Sequence, residues 1–137
     1  MAVKTTATVR FHREVVTTPV LVAFDAAAFR AVGVARGAAP FLTGALVESI
    51  RFVPTGICAG FLEATVPYAS VQEFGSRPHL ITPSLRLALY NPSDSNGGEF
   101  GPVAYAMHPG TVGQGFLRAG ATAFPALFKE AFRRYLR

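Results

Sequence analysis

Five residues recur every four positions near the end of the chain: Phe116, Gly120, Phe124, Phe128 and Phe132. Leu117, Leu127, Tyr135 and Leu136 lie beside them. That spacing is close to the α-helical repeat and gives a wide apolar stripe, which has to be buried against something. The C-terminal segment is therefore expected to be a helix packed on a core. Pro125 interrupts the pattern and is expected to kink or divide the helix, since it lacks a backbone donor and its ring clashes with the preceding turn. At 137 residues, half of them hydrophobic, the chain is long enough to bury a real core and is expected to form a single domain spanning residues 1–137.

A second helical pattern begins at Val20. Thr17, Thr18 and Pro19 supply a start signal, and Leu21, Phe24, Ala28, Ala31 and Val32 can share a face. Gly37 and Pro40 supply the stop. The apolar stretch Val20 to Ala35 is broken by Asp25 and Arg30. It is shorter than the ~20 residues a bilayer span needs, and MAVKTTATVRFHREVV has no apolar signal core, so the expectation is a soluble protein.

Residues 1–16 read as an extended arm or a strand, rich in Val and Thr from Thr5 to Val16. Thr43 and Gly44 open a short helical turn, with Thr43 as its expected cap and Leu46, Val47 and Ile50 as its contacts. Arg51–Pro54 and Gly60–Val66 read as a hairpin joined at TGICAG. Tyr68–Phe74 reads as a helical turn ended by Gly75, and Leu80–Tyr90 as extended. NPSDSNGGEFG, Asn91–Gly101, is a long polar loop, after which Pro102–His108 is expected to pair back on Leu85–Tyr90. The element order predicts an α+β fold: an antiparallel sheet packed by a long helix of the N-terminal half and a C-terminal helix.

The residues that carry chemistry are scattered. His12, His79 and His108 have no HxH or HxxxH spacing, so a catalytic or metal site needs long-range convergence with Glu73 or Asp94. Ser70, Ser76 and Ser84 lie in no nucleophile elbow, and no glycine pattern fits a phosphate loop. Cys58 is the single cysteine, which excludes an intramolecular disulfide, and no cation neighbours it in sequence to activate the thiol. The expectation is no enzyme, no metal and no cofactor. The net charge is +5 with only 15% charged residues, and Lys129, Arg133, Arg134 and Arg137 crowd the last nine positions. A helix C-terminus attracts such cations through its dipole. A small basic nucleic-acid-binding module is the alternative reading, and a small hydrolase a third.

Two blocks are more specific, and a shorter one precedes them. The shorter one, first in the chain, is Thr43-Gly44-Ala45-Leu46-Val47-Glu48-Ser49-Ile50. The second runs Val66-Pro67-Tyr68-Ala69-Ser70-Val71-Gln72-Glu73-Phe74-Gly75-Ser76-Arg77-Pro78-His79. The third is His108-Pro109-Gly110-Thr111 followed by Phe116-Leu117-Arg118-Ala119. Physically, Gly75 can end a turn at positive φ, Pro78 holds Arg77 extended, and HPGT is a turn that launches the last helix. Arg118 is expected to point back to a carboxylate, for which Glu73 is the candidate.

Together these blocks resemble the small tail-completion, or tail-component, proteins of long-tailed double-stranded DNA phages. That family carries "TGxLxxSI", "PYAxxxEFGT" and "HPGTxxxPFLRPA" in this order before a C-terminal helix. The resemblance covers residues 39–121, with Ser76 in place of threonine, Gly115 in place of proline, and Gly120 where the pattern has proline or alanine nearby. It implies a structural virion protein of the neck or tail top, joining tail to head. Implied partners are further copies in a ring of six-fold type, neighbouring neck and tail proteins, and non-specific contact with DNA in the channel, with no membrane partner. The location implied is the virion, after assembly in the host cytoplasm. Phe128 and Phe132 are the expected edge of a subunit interface.

Overall fold

The computed structural model describes residues 3–8, 18–84 and 104–136, with the backbone alone described for 3–8. The elements run β1 (Val3–Thr8), α1 (Thr18–Ala38), α2 (Ala45–Ser49), β2 (Ile50–Gly56), β3 (Ala59–Ala64), α3 (Ala69–Phe74), β4 (Gly75–Ser76), β5 (His79–Ile81), β6 (Ala106–His108), β7 (Thr111–Val112) and α4 (Phe116–Tyr135). This is the α+β class expected. The residues group into two compact units, Met1–Gly75 with Gly113–Arg137, and Ser76–Val112.

In the larger unit, β3 is the central strand of a three-stranded antiparallel sheet ordered β1-β3-β2. The hairpin β2–β3 forms where TGICAG predicts it, and Cys58 takes positive φ (54°) in its turn. Register sets Ile50, Ala64 and Val3 in one row across the sheet, and Phe52, Leu62 and Thr5 in another. Ile50, Leu62 and Ala64 are buried and belong to the core. The opposite face carries Arg51 beside Glu63, whose carboxylate accepts from the guanidinium at 2.6 Å. Within residues 1–16, only 3–8 are described, and they form β1.

The helices α1 and α4 pack on each other and against the sheet. The buried face of α1 is Ala23, Phe24, Ala27, Ala28, Ala31 and Ala35. Leu21 is exposed and Val32 only partly buried, so the expected face is rotated toward the alanines. The reason is Gly120: a Cβ there would lie 2.7 Å from the Ala31 carbonyl oxygen and 3.0 Å from Ala35 Cβ. Helices that approach this closely accept only small side chains at the crossing. The larger apolar groups flank it. Phe24 meets Phe124 edge-on at 5.2 Å and Phe52 at 5.9 Å.

Three expectations are corrected. First, Pro125 does not divide α4, which is one continuous helix of 20 residues with the proline inside it. Pro125 is solvent-exposed, where water can meet the carbonyl that loses its partner. Second, α2 is headed by Gly44 at φ 84° with no side-chain cap, so Thr43 does not cap it. The Glu48 amide donates instead to the Gly44 carbonyl, which closes the turn through the backbone. Third, α1 spans 21 residues and is by length and composition apolar enough to cross a bilayer, unlike the shorter stretch read from sequence. A third of that span is buried within the fold, on α1's small-residue face.

A surface clasp also joins the helices. Glu130 on α4 accepts from Arg30 on α1 at 2.8 Å and from Arg134 at 2.7 Å. The hydrogen bond from Arg30, and then its charge, hold the Glu130 carboxyl below its ordinary value. A carboxyl lowered in the folded state stabilises the fold above its unfolded value and loses that contribution as pH falls through the folded value. Titrating Glu130 by NMR in Arg30→Gln should show its midpoint rising toward that of a free glutamate, with a smaller acid-dependent loss of stability than in the parent. At the helix crossing, Gly120→Ala should lower unfolding stability by about 1–3 kcal/mol despite alanine's better helix propensity, as read by urea denaturation.

Candidate functional site

The helix α4 begins at Phe116 behind Gly115, which sits at φ 61° and offers no side chain to cap it. A helix start leaves its first amide N–H groups without intrahelical partners. Here they are met from a distant part of the chain. The Leu117 amide donates to Glu73 Oε2 at 2.8 Å, and the Arg118 amide to Glu73 Oε1 at 3.1 Å. Glu73 is only 3% exposed, and its negative charge faces the positive end of the helix dipole.

The backbone around Glu73 completes the joint. The Gln114 amide donates to the Gln72 carbonyl at 2.8 Å, and the Gly115 amide to the Glu73 carbonyl at 3.1 Å. Between them, a Cβ on Gly113 would lie 2.4 Å from the Phe74 carbonyl carbon. No side chain fits between the two segments. Glu73 is thus a structural cap, and the expected Glu73–Arg118 ion pair is replaced by a bond to the Arg118 amide. The Arg118 side chain is exposed. The physical reason is proximity of stronger claimants: both carboxylate oxygens are engaged by helix-start amides.

The other family-pattern residues fall into two groups. Ile50, Ala69, Phe116 and Leu117 are fully buried, and Ser49 Oγ donates to the Leu46 carbonyl at 2.8 Å. Gly75 ends α3 at φ 81°. Thr43, Pro67, Tyr68 and Phe74 are exposed, with Phe74 at 62%. Of the two expected interface rings, Phe128 packs partly against the core and Phe132 is half-buried. Phe124, Phe128 and Phe132 stack in sequence, with centroids 6.4 and 5.9 Å apart.

In the smaller unit, β5 and β6 pair with His79 opposite His108. The expected partner of the Pro102–His108 strand, Leu85–Tyr90, lies outside the described residues, as does the Asn91–Gly101 loop; the described partner is His79–Ile81. The two imidazoles stack with centroids 4.9 Å apart. His79 Nδ1 lies 3.0 Å from the Arg77 carbonyl, which can only accept, so that nitrogen carries the proton. His108 Nδ1 accepts from the Gly110 amide at 3.0 Å, which places the proton of its neutral ring on Nε2.

This pairing of histidines was not legible in their sequence spacing. Its hydrogen bonds leave His79 Nε2 as a free acceptor but give His108 no outward lone pair, so the pair is not arranged as two metal ligands. Among the described residues, no group of three or more His, Cys, Asp or Glu is placed to hold a metal. Ser76 Oγ accepts from the Thr111 amide at 3.1 Å and lies 3.1 Å from Thr111 Oγ1. It is therefore tied to a threonine and not to an imidazole. Gly110 turns at φ 89°, and a Cβ there would lie 2.5 Å from the Ser76 carbonyl oxygen. Pro109 beside it is exposed.

Cys58 is buried, and burial first, then the negative charge of Asp25, raise its thiol above the ordinary value. That is the opposite of activation. No family model matches the chain, and neither curated proteins nor solved structures give a significant match.

One sequence signal did point to the remote cap. A helix start reading Gln114-Gly115-Phe116 has no Ser, Thr, Asp or Asn to serve its own donors. Glu73→Ala should cost about 2–3 kcal/mol of stability and Glu73→Gln about half of that, since glutamine keeps one acceptor. Amide exchange should accelerate first at Leu117 and Arg118. Arg118→Gln should leave stability within about 0.5 kcal/mol of the parent.

Proposed function

We propose that the chain is a structural virion protein of a phage neck or tail top, acting as one copy in a ring that completes the tail and joins it to the head. The observation that carries this reading is the joint between the second and third family-like blocks. Glu73 of the one caps the helix opened by Phe116-Leu117-Arg118 of the other. Ile50 of the first block, Ala69 of the second, and Phe116 and Leu117 of the third share the hydrophobic core. Residues of all three family-like blocks thus meet in the larger unit, while Ser76–His79 and His108–Thr111 of the second and third lie in the smaller.

The surface supports an assembly role. Tyr68 and Phe74 belong to the second block, yet both are exposed, so core packing does not account for them. Phe41 and Leu42 beside the first block are 77% and 92% exposed. Large apolar groups presented to solvent in this way mark protein–protein surfaces. Partners are further copies, in a ring of six-fold type, and neighbouring neck and tail proteins, with the stacked edge of Phe128 and Phe132 against the next subunit. The assigned location is the virion. The reading assigns no enzymatic step and no cofactor.

A second reading, a small basic nucleic-acid-binding module, is favoured by the exposed cations of α4, Arg118, Lys129, Arg133 and Arg134. Light scattering across a concentration series, with electron microscopy of large species, separates the two. A closed ring with a central hole is the expected result. A chain that stays monomeric alone and with neck and tail partners present would sink the ring. Phe128→Ala with Phe132→Ala should weaken assembly more than monomer folding, and equal loss of both would remove those rings from the interface.

A further inference from the structure

The solvent side of α4 is not a random mixture of charges. Arg118, Thr122, Lys129 and Arg133 are all exposed. At 3.6 residues per turn, they fall on one line, opposite the buried Gly120, Phe124 and Ala131. We infer that this line is a docking surface for the sugar–phosphate backbone of a nucleic acid, recognised by charge and without regard to sequence.

Four observations lead there. First, no acid stands on the line. The one acid in α4, Glu130, lies on the flank and is engaged by Arg30 and Arg134. Elsewhere among the described residues of the larger unit, Glu63 and Glu73 are buried and hydrogen-bonded, and the exposed acids Asp25 and Glu48 stand on α1 and α2, not on α4. Second, the helix dipole accounts for cations in the last turn but not for Arg118 in the first, where the positive end of the helix disfavours them. Third, the positions between the cations carry only short side chains, Thr122, Pro125 and Ala126. Open depressions of about 660 and 480 Å³ lie along this side, the first lined by Arg118 and Thr122 with the capping Glu73, the second by Lys129 and Arg133 with Glu130, both carboxylates being already hydrogen-bonded. A chain of phosphates can approach the helix closely there.

Fourth, the shape suits a linear polyanion. The 15 steps from Arg118 to Arg133 cover about 22 Å, the length of roughly six base pairs. A membrane surface fits less well. A membrane-lying helix needs a free apolar face, and most of that of α4 is spent on α1 and the sheet. The inference deepens the neck reading, on which the setting of that DNA in a ring channel rests. Ring closure is read by mass and this surface by salt, so either can fail alone.

The test is fluorescence anisotropy of the full chain with a labelled mixed-sequence duplex of about 30 base pairs, titrated with NaCl. Neutralising phosphates releases counterions, so three stripe cations should give a log–log slope of about −2 to −3. Arg118→Gln, Lys129→Gln and Arg133→Gln should each reduce that slope by about 1. The triple variant should lose at least about tenfold in affinity at low salt. Arg118→Lys should retain binding. Arg77→Gln, an exposed cation of the smaller unit, should leave the slope unchanged. The inference is overturned if the wild-type chain shows no salt-dependent binding. It is equally overturned if the triple variant, folded by circular dichroism, binds as the parent does. Vesicles of phosphatidylcholine with phosphatidylserine that bind as tightly, and lose binding in the same variants, would also overturn it by making the surface a reader of lipid.

Discussion

The structure of the larger unit depends on one carboxylate. Glu73 lies at the end of α3, 44 residues before Leu117, and its two oxygens take the amides of the second and third residues of α4. Without it, the longest apolar stripe in the sequence would begin at a bare Gly115. A buried carboxylate is costly unless its hydrogen bonds are made, and buried amides are costly unless they find acceptors. Each group answers the requirement of the other. The backbone bonds from Gln114 and Gly115 to residues 72 and 73 then fix the angle at which α4 leaves the joint.

From that fixed start, α4 reaches α1 at a place where neither helix has bulk. Gly120 faces Ala31 and Ala35, and the aromatic rings of Phe24, Phe52 and Phe124 close the space on one side. The arrangement divides α4 into two faces with separate duties. The inner one is spent on the core, and the outer one is left with cations and short side chains. The C-terminal charge is thereby a surface feature of a rigid element.

Much of the fold was legible because it rests on local chemistry. The hairpin at TGICAG, the turn ended by Gly75 and the helix from Phe116 follow from glycine conformations and apolar spacing, which neighbouring residues determine. The errors have one origin in common. Thr43 is a good cap by type, but the backbone closes α2 at Gly44. Leu21 and Val32 are more apolar than alanine, but the crossing at Gly120 selects alanine for the buried face. Pro125 disfavours a helix in general, but its exposed position lets α4 run through. In each case a contact, or the freedom from one, outweighed an intrinsic preference.

The candidate sites divide in the same way. The sequence by itself determined which residues belong together as patterns: Thr43–Ile50, Val66–His79 and His108–Ala119, with no spacing suited to local catalysis. It also set the excess of positive charge near the C-terminus. Tertiary structure alone decided that Glu73 caps a helix and does not pair with the Arg118 guanidinium, and that His79 stacks on His108. The physical reason is distance along the chain. Hydrogen bonds within a turn are written in adjacent residues, whereas a bond between residues 73 and 117 exists only once the core has brought the two segments together.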